Sequence, residues 1–150
     1  MTADRVYVDP SAMARLYIHC EGSREMASWR ARVTGALPVT HHGRTEVVNA
    51  ICRSRVLGHL DDSGCSEALG DFEADLALGR ISQADILWRA ALNRAADLSR
   101  LHTPRLGTRA LDVLHVACAM ELKLPYFLTF DERQQRLATA VRLKLVRIGS

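Results

Sequence analysis

Lysine is almost missing from this sequence: Lys123 and Lys144 are the only two among 20 basic residues, and the rest are arginine. A strong charge of either sign is missing too. The 20 basic residues against 17 acidic ones leave a formal net charge of +3, too mild for a polybasic protein that coats nucleic acid by charge alone. Cys20, Cys52, Cys65 and Cys118 never form a C-x-x-C pair. That spacing speaks against zinc and against a disulfide framework, and fits reduced thiols in or beside apolar helical stretches, in a reducing compartment. No uncharged apolar run approaches the roughly 20 residues that a membrane span requires. The opening MTADRVYVDP has neither an apolar core region nor a small-residue cleavage site, so the expected location is cytoplasmic, with no membrane partner.

What remains is ordinary in bulk composition: 150 residues, 48% hydrophobic and 25% charged, without internal repeat or low-complexity tract. One domain over residues 1–150 is the expectation. Such a chain buries roughly two-thirds of its unfolded surface, so it needs no metal to fold, and a metal would serve chemistry. The arginine bias suits a surface that grips RNA phosphates bidentately. A GC-rich genome would produce the same bias.

Val6-Tyr7-Val8 reads as a short strand that passes at Asp9-Pro10 directly into a helix over about 11–19, because proline is tolerated in a first helical turn. A second helix is predicted over 24–33, a brief strand over 36–39, and a helix from about Arg44 to Leu60 with Glu46 in its first turn. Asp61 to Gly64 is a turn, and Glu67 to Leu78 completes a helical hairpin. Residues 80–82 form a candidate strand, Ala84 to Leu101 a strong helix, and Thr103 to Gly107 a loop. Thr108 is expected to cap a helix to about Leu122. Residues 126–129 form a strand ending near Asp131, Glu132 to Ala140 a short helix, and residues near 145–148 a last strand. Short β-runs separated by helices imply a parallel sheet covered on both faces, a three-layer α/β/α sandwich. The hairpin over about 44–79 is a candidate projection. Its Val47, Val48, Ile51, Leu57, Leu69, Phe72 and Leu76 offer more apolar surface than one small sheet readily covers, which suggests a dimer mate or a helical partner.

In open parallel sheets ligands sit beyond the carboxyl ends of the strands. Asp9, Glu46, Asp112 and Asp131 all project toward that rim. Clustered carboxylates raise one another's pKa values and carry a stability cost unless a cation compensates. Mg²⁺ or Mn²⁺ with retained water is the natural partner, and the chemistry that follows is phosphodiester hydrolysis. Taken singly, acids at strand ends and in first helical turns are ordinary caps and dipole partners. The four together favour a site.

VYVDPSAMARLYI, RTEVVNAICR, ALDVLHVACAMEL and FLTFDERQQRLA resemble, in order and spacing, the motifs of PIN-domain ribonucleases, specifically the VapC-type toxins of bacterial toxin–antitoxin pairs. The resemblance spans essentially the whole chain. It implies a PIN-like fold in which Asp9, Glu46, Asp112 and Asp131 form the acidic metal site. It also implies Mg²⁺-dependent endoribonuclease activity, homodimerisation, inhibition by a VapB-type antitoxin, and DNA contact only through that antitoxin. The stretch THHGR before Glu46 departs from the expected serine and apolar residues.

Ser11 and Thr129 each lie two residues from a site aspartate and suit either a ligand contact or a local cap. His115 reads as a hydrogen-bonded structural residue rather than a general base, Arg109 as a partner of Asp112 or of RNA phosphate, and His41-His42 as a surface pair lacking a third ligand. Trp29 and Trp88 read as core or interface. Two other classes compete. A phosphatase would carry an acid at the position of Ser11, and a receiver domain an acid beside Asp9 and a lysine on the last strand. A non-catalytic interaction module would have no reason to keep four repelling acids.

Overall fold

The two residue types that alternate along the first strand decide the layering. In β1 (Val6–Val8) every residue is buried, but the period of two sends Val6 and Val8 to one face and Tyr7 to the other. Val6 and Val8 join a core with Met13, Met26, Trp29, Val47, Ile51 and Phe72. Tyr7 joins a second core with Val113, Leu114, Phe127 and Leu137. The computed structural model describes residues 1–149 and is a three-layer α/β/α sandwich about a parallel sheet.

The elements follow in the order β1, α1 (Pro10–Ala14), α2 (Ser23–Arg32), β2 (Leu37–Thr40), α3 (His41–Val56), α4 (Asp62–Ala77), β3 (Ile81–Ala84), α5 (Trp88–Leu106), α6 (Ala110–Glu121), β4 (Tyr126–Leu128), α7 (Glu132–Ala140) and β5 (Lys144–Leu145). Strand β4 is central to one ladder, β1-β4-β5, and β2 pairs with β3 in another. All three pairings are parallel, and β2 runs beside β1. Helices α1 to α4 contribute to the first core and α5 to α7 to the second.

Several boundaries differ from the sequence expectation for local reasons. Helix α1 stops at Ala14, since Arg15, Leu16 and Tyr17 bond back three residues rather than four and tighten the chain into turns. Gly22 then adopts φ +86°, and a Cβ there would stand 2.9 Å from the Phe130 ring. Helix α3 starts at His41 rather than Arg44 because the Thr40 side chain accepts from Gly43 N at 2.9 Å. Asp61 caps α4 in the same way, which extends that helix back to Asp62. Ala84 belongs to β3, paired with Thr40, so α5 begins only at Trp88.

The segment 103–107 is not a loop. Helix α5 runs through Pro104, which in the last turn costs a single backbone bond, and ends where Gly107 turns left-handed at φ +66°. Thr108 is accordingly not a cap: its hydroxyl pairs with that of Thr103 at 2.9 Å, and no side chain caps α6. The last strand is confined to Lys144–Leu145.

The hairpin α3/α4 is rooted in the body, because Val47, Ile51, Ala68 and Phe72 are core residues. Its apolar surplus is therefore smaller than its composition suggests, and the exposed part is the tip, where Val56 is 87% exposed and Leu57 60%. All four cysteines are free, with Cys118 buried and Cys52 exposed. Trp29 is buried in the first core and Trp88 is half-buried against the second.

Candidate active site

Beyond the carboxyl ends of β1, β2 and β4 lies a crevice of about 940 Å³, and Asp9, Glu46, Asp112 and Asp131 all line it. The topology accounts for this convergence, since Asp9, Asp112 and Asp131 stand where a strand or loop hands over to a helix, whereas Glu46 lies in the second turn of α3 and not in the expected first, because that helix starts at His41. Asp9 follows β1 and caps α1, accepting from Ser11 N at 3.2 Å and from the Ser11 hydroxyl. Asp131 follows β4 and caps α7 through Gln134 N at 2.7 Å. Asp112 sits in the first turn of the uncapped α6, and Glu46 in α3. Two of the four acids thus also serve as ordinary helix caps, in addition to facing the crevice.

The four acids differ in environment. Asp9 is 6% exposed, whereas Asp131 is open to solvent. The Asp112 carboxyl is pushed above the usual carboxylate range by burial and then by the charges of Asp131 and Asp9; His115 and Arg109 offset only part of this. Arg109 makes no ion pair with Asp112 among the described residues, so the partnership suggested by their spacing is one of field and not of contact. Negative charge with oxygen donors and no cationic side chain bonded to it fits a hard divalent cation.

Glu46 is held differently. Burial favours its neutral form, but hydrogen bonding and charge from His115 and His42 outweigh this and lower its pKa. Its Oε2 lies 2.5 Å from His115 Nε2 and its Oε1 3.5 Å from His42 Nε2. The other His115 nitrogen, Nδ1, meets the Tyr7 hydroxyl at 2.7 Å. His115 is therefore a fully engaged, 2% exposed residue, as a structural hydrogen-bonding role requires.

Three residues acquire importance only in the folded chain. His42, read from sequence as surface, is half-buried at the crevice wall, with its ring 5.6 Å from that of His115 and 6.1 Å from Trp88. Gln134 is fully buried, and its Nε2 donates to Asp9 Oδ1 at 3.3 Å and to the Asp112 carbonyl at 3.2 Å. It lies three residues past Asp131, in the turn that aspartate caps, a placement visible in FDERQQ. Tyr7 shows no functional signal in the sequence beyond being the odd residue of an apolar strand. Ser11 and Thr129 prove to be local: Ser11 bonds Asp9, and Thr129 accepts from Asp131 N at 3.1 Å. Arg53, Arg109 and Arg133 reach the same crevice from three different segments.

A parallel α/β/α sandwich with an acidic, arginine-rimmed crevice at its carboxyl edge defines a class built for polyanionic substrates and hard cations. The chain belongs to the PIN domain family, whose pattern matches residues 6–140. PIN domains are in general metal-dependent nucleases acting on RNA. A comparison with curated proteins returns no match. No helix among the described residues is long and apolar enough to cross a membrane.

Proposed function

We propose that this PIN domain is a Mg²⁺-dependent endoribonuclease of the VapC toxin type, in which Asp9 and Asp112, with Asp131 and Glu46, hold the cation. The observation that carries the reading is the convergence of Asp9, Glu46, Asp112 and Asp131 on one crevice, in which burial and the charges of Asp131 and Asp9 raise the half-buried Asp112 carboxyl. Held by these acids, Mg²⁺ would supply an activated water and neutralise charge on the leaving oxygen. The protein's own groups do the positioning. Ser11 and Gln134 fix the Asp9 carboxylate from two sides, so its oxygens are oriented before substrate arrives. Arg53, Arg109 and Arg133 are exposed or at the rim and suit the phosphates flanking the scissile bond. An unstructured RNA loop presents its phosphodiesters to such a rim more readily than an A-form helix does.

As a toxin of this type the protein pairs with itself and with a VapB-type antitoxin, through which alone it meets DNA. Exposed Val56 and Leu57 at the hairpin tip and Leu78 at the end of α4 supply apolar surface for such contacts.

The test is cleavage of RNA by purified protein with Mg²⁺ or Mn²⁺, which chelation abolishes. Asp9→Asn and Asp112→Asn lose activity by orders of magnitude. Undiminished cleavage by either variant in chelator overturns the reading. Copurification with the product of the adjoining gene, and a dimer by light scattering, test the toxin assignment separately.

A further inference from the structure

We propose that His42, Glu46 and His115 form a second metal site, selective for a borderline transition ion such as Zn²⁺ or Co²⁺, which adjoins the aspartate site and shares Glu46 with it but differs from it in donor chemistry. Their ligand atoms all lie within 4.8 Å of one another, the one such trio of His, Cys, Asp or Glu among the described residues. The trio is assembled from both sides of the fold. His42 and Glu46 share a face of α3 four residues apart, a spacing that exists only because Thr40 starts the helix early enough to include His42. His115 arrives from α6.

Three features suit these groups to a metal. First, His42 Nε2 is buried and has no polar contact closer than Glu46 Oε1 at 3.5 Å, a loose contact that a cation between the two would tighten. Second, the Tyr7 hydroxyl stands at His115 Nδ1. It can accept from Nδ1–H and leave Nε2 as the ligating nitrogen, which is the outer-shell arrangement that orients metal-bound histidine. Third, His115 Nε2 and Glu46 Oε2 are in hydrogen-bond contact at 2.5 Å, and a cation would take the place of the proton in that bond.

The donor set decides the ion. Two imidazole nitrogens and one carboxylate favour Zn²⁺, Co²⁺, Ni²⁺ or Cu²⁺, whereas Mg²⁺ keeps oxygen ligands and water. Three protein ligands leave a fourth position for water or an RNA oxygen. Both oxygens of Glu46 face the two imidazoles, so an ion held there ties α3 to α6 across the crevice.

Trp88 provides a built-in reporter, because its ring lies edge-on to His42 with centroids 6.1 Å apart, while Trp29 belongs to the opposite core. The experiment titrates full-length protein with Co²⁺ in excess Mg²⁺, following tryptophan fluorescence and the visible d–d band. Expected is saturation near one equivalent, with quenching that disappears in Trp88→Phe while the d–d band persists. His42→Ala and His42→Asn weaken Co²⁺ binding at least tenfold, whereas Asp112→Asn changes it less than twofold. Because His42 is half-exposed, its variants fold, and a thermal melt verifies this. Unaltered Co²⁺ affinity in both His42 variants, or loss of binding in Asp112→Asn or on Mg²⁺ addition, overturns the proposal, since the ion then occupies the aspartates. None of these readouts uses RNA cleavage, so they stand or fall independently of the nuclease reading.

Discussion

Gln134 Nε2 donates to Asp9 Oδ1 at 3.3 Å, joining two residues 125 positions apart in the chain. The same amide nitrogen reaches the Asp112 carbonyl, so one buried side chain braces the segments carrying both principal acids. Its Oε1 has no partner, a cost to the fold that points to a positioning role. Gln134→Leu keeps the volume and removes the donor. It is expected to lower single-turnover RNA cleavage roughly 10- to 100-fold at saturating Mg²⁺, the scale of outer-shell losses, with little change in melting temperature because the stranded oxygen goes as well. An unchanged rate would show that Asp9 needs no support from α7.

Asp112→Asn should melt higher than the parent in chelator at neutral pH. A carboxyl raised in the fold disfavours its ionised form there, first through burial and then through Asp131 and Asp9. The cost is present in full above the folded pKa and disappears as pH falls through that value to below the ordinary carboxylate range. Asp112 is largely solvent-screened, so the gain is kept to about 1 kcal/mol or less, a rise of at most about 2–4 °C. Excess Mg²⁺ should narrow or reverse the difference by stabilising the parent through mass action. A variant that melts clearly lower in chelator would make Asp112 a structural residue.

Glu46→Gln should move the opposite way. Its carboxyl is lowered in the fold because His115 and His42 outweigh the effect of burial. The resulting stability is present above the ordinary glutamate value and lost as pH falls through the folded one. Breaking a hydrogen bond to a charged group costs roughly 1.5–3 kcal/mol. A melting temperature lower by about 3 °C or more is therefore expected at pH 7, with the difference vanishing in acid. Melts of both variants across pH check the opposed signs in one series.

Gly22→Ala tests the turn that follows α1. At φ +86° any side chain is strained, and its Cβ would press on Phe130 at 2.9 Å, the ring over which Arg15 lies at 3.8 Å. A loss exceeding about 1 kcal/mol is expected, read as a melting temperature lower by more than about 2–4 °C. Neutral behaviour would mean that the 15–22 segment repacks freely.

The layering and the acidic rim were legible in the chain because both rest on local rules. A β-run ending in Asp-Pro at residues 8–10, and another ending before Asp131, each hand over to a helix whose cap is the acid itself, and parallel strands aim such caps at one edge. Residues 103–107 were illegible because the cost of Pro104 depends on where the helix ends, and Gly107 set that end one turn later.

His42 was illegible for a different reason. Its spacing to Glu46 becomes helical only through the Thr40 cap, and its third partner, His115, lies 69 positions from Glu46 on another element. Gln134 and Tyr7 likewise took their roles from groups more than 100 positions away. Periodicity and capping act over a few residues and so can be read along the chain. Which polar atoms share a buried crevice is settled by packing two cores against opposite faces of one sheet, and only the folded protein contains that information.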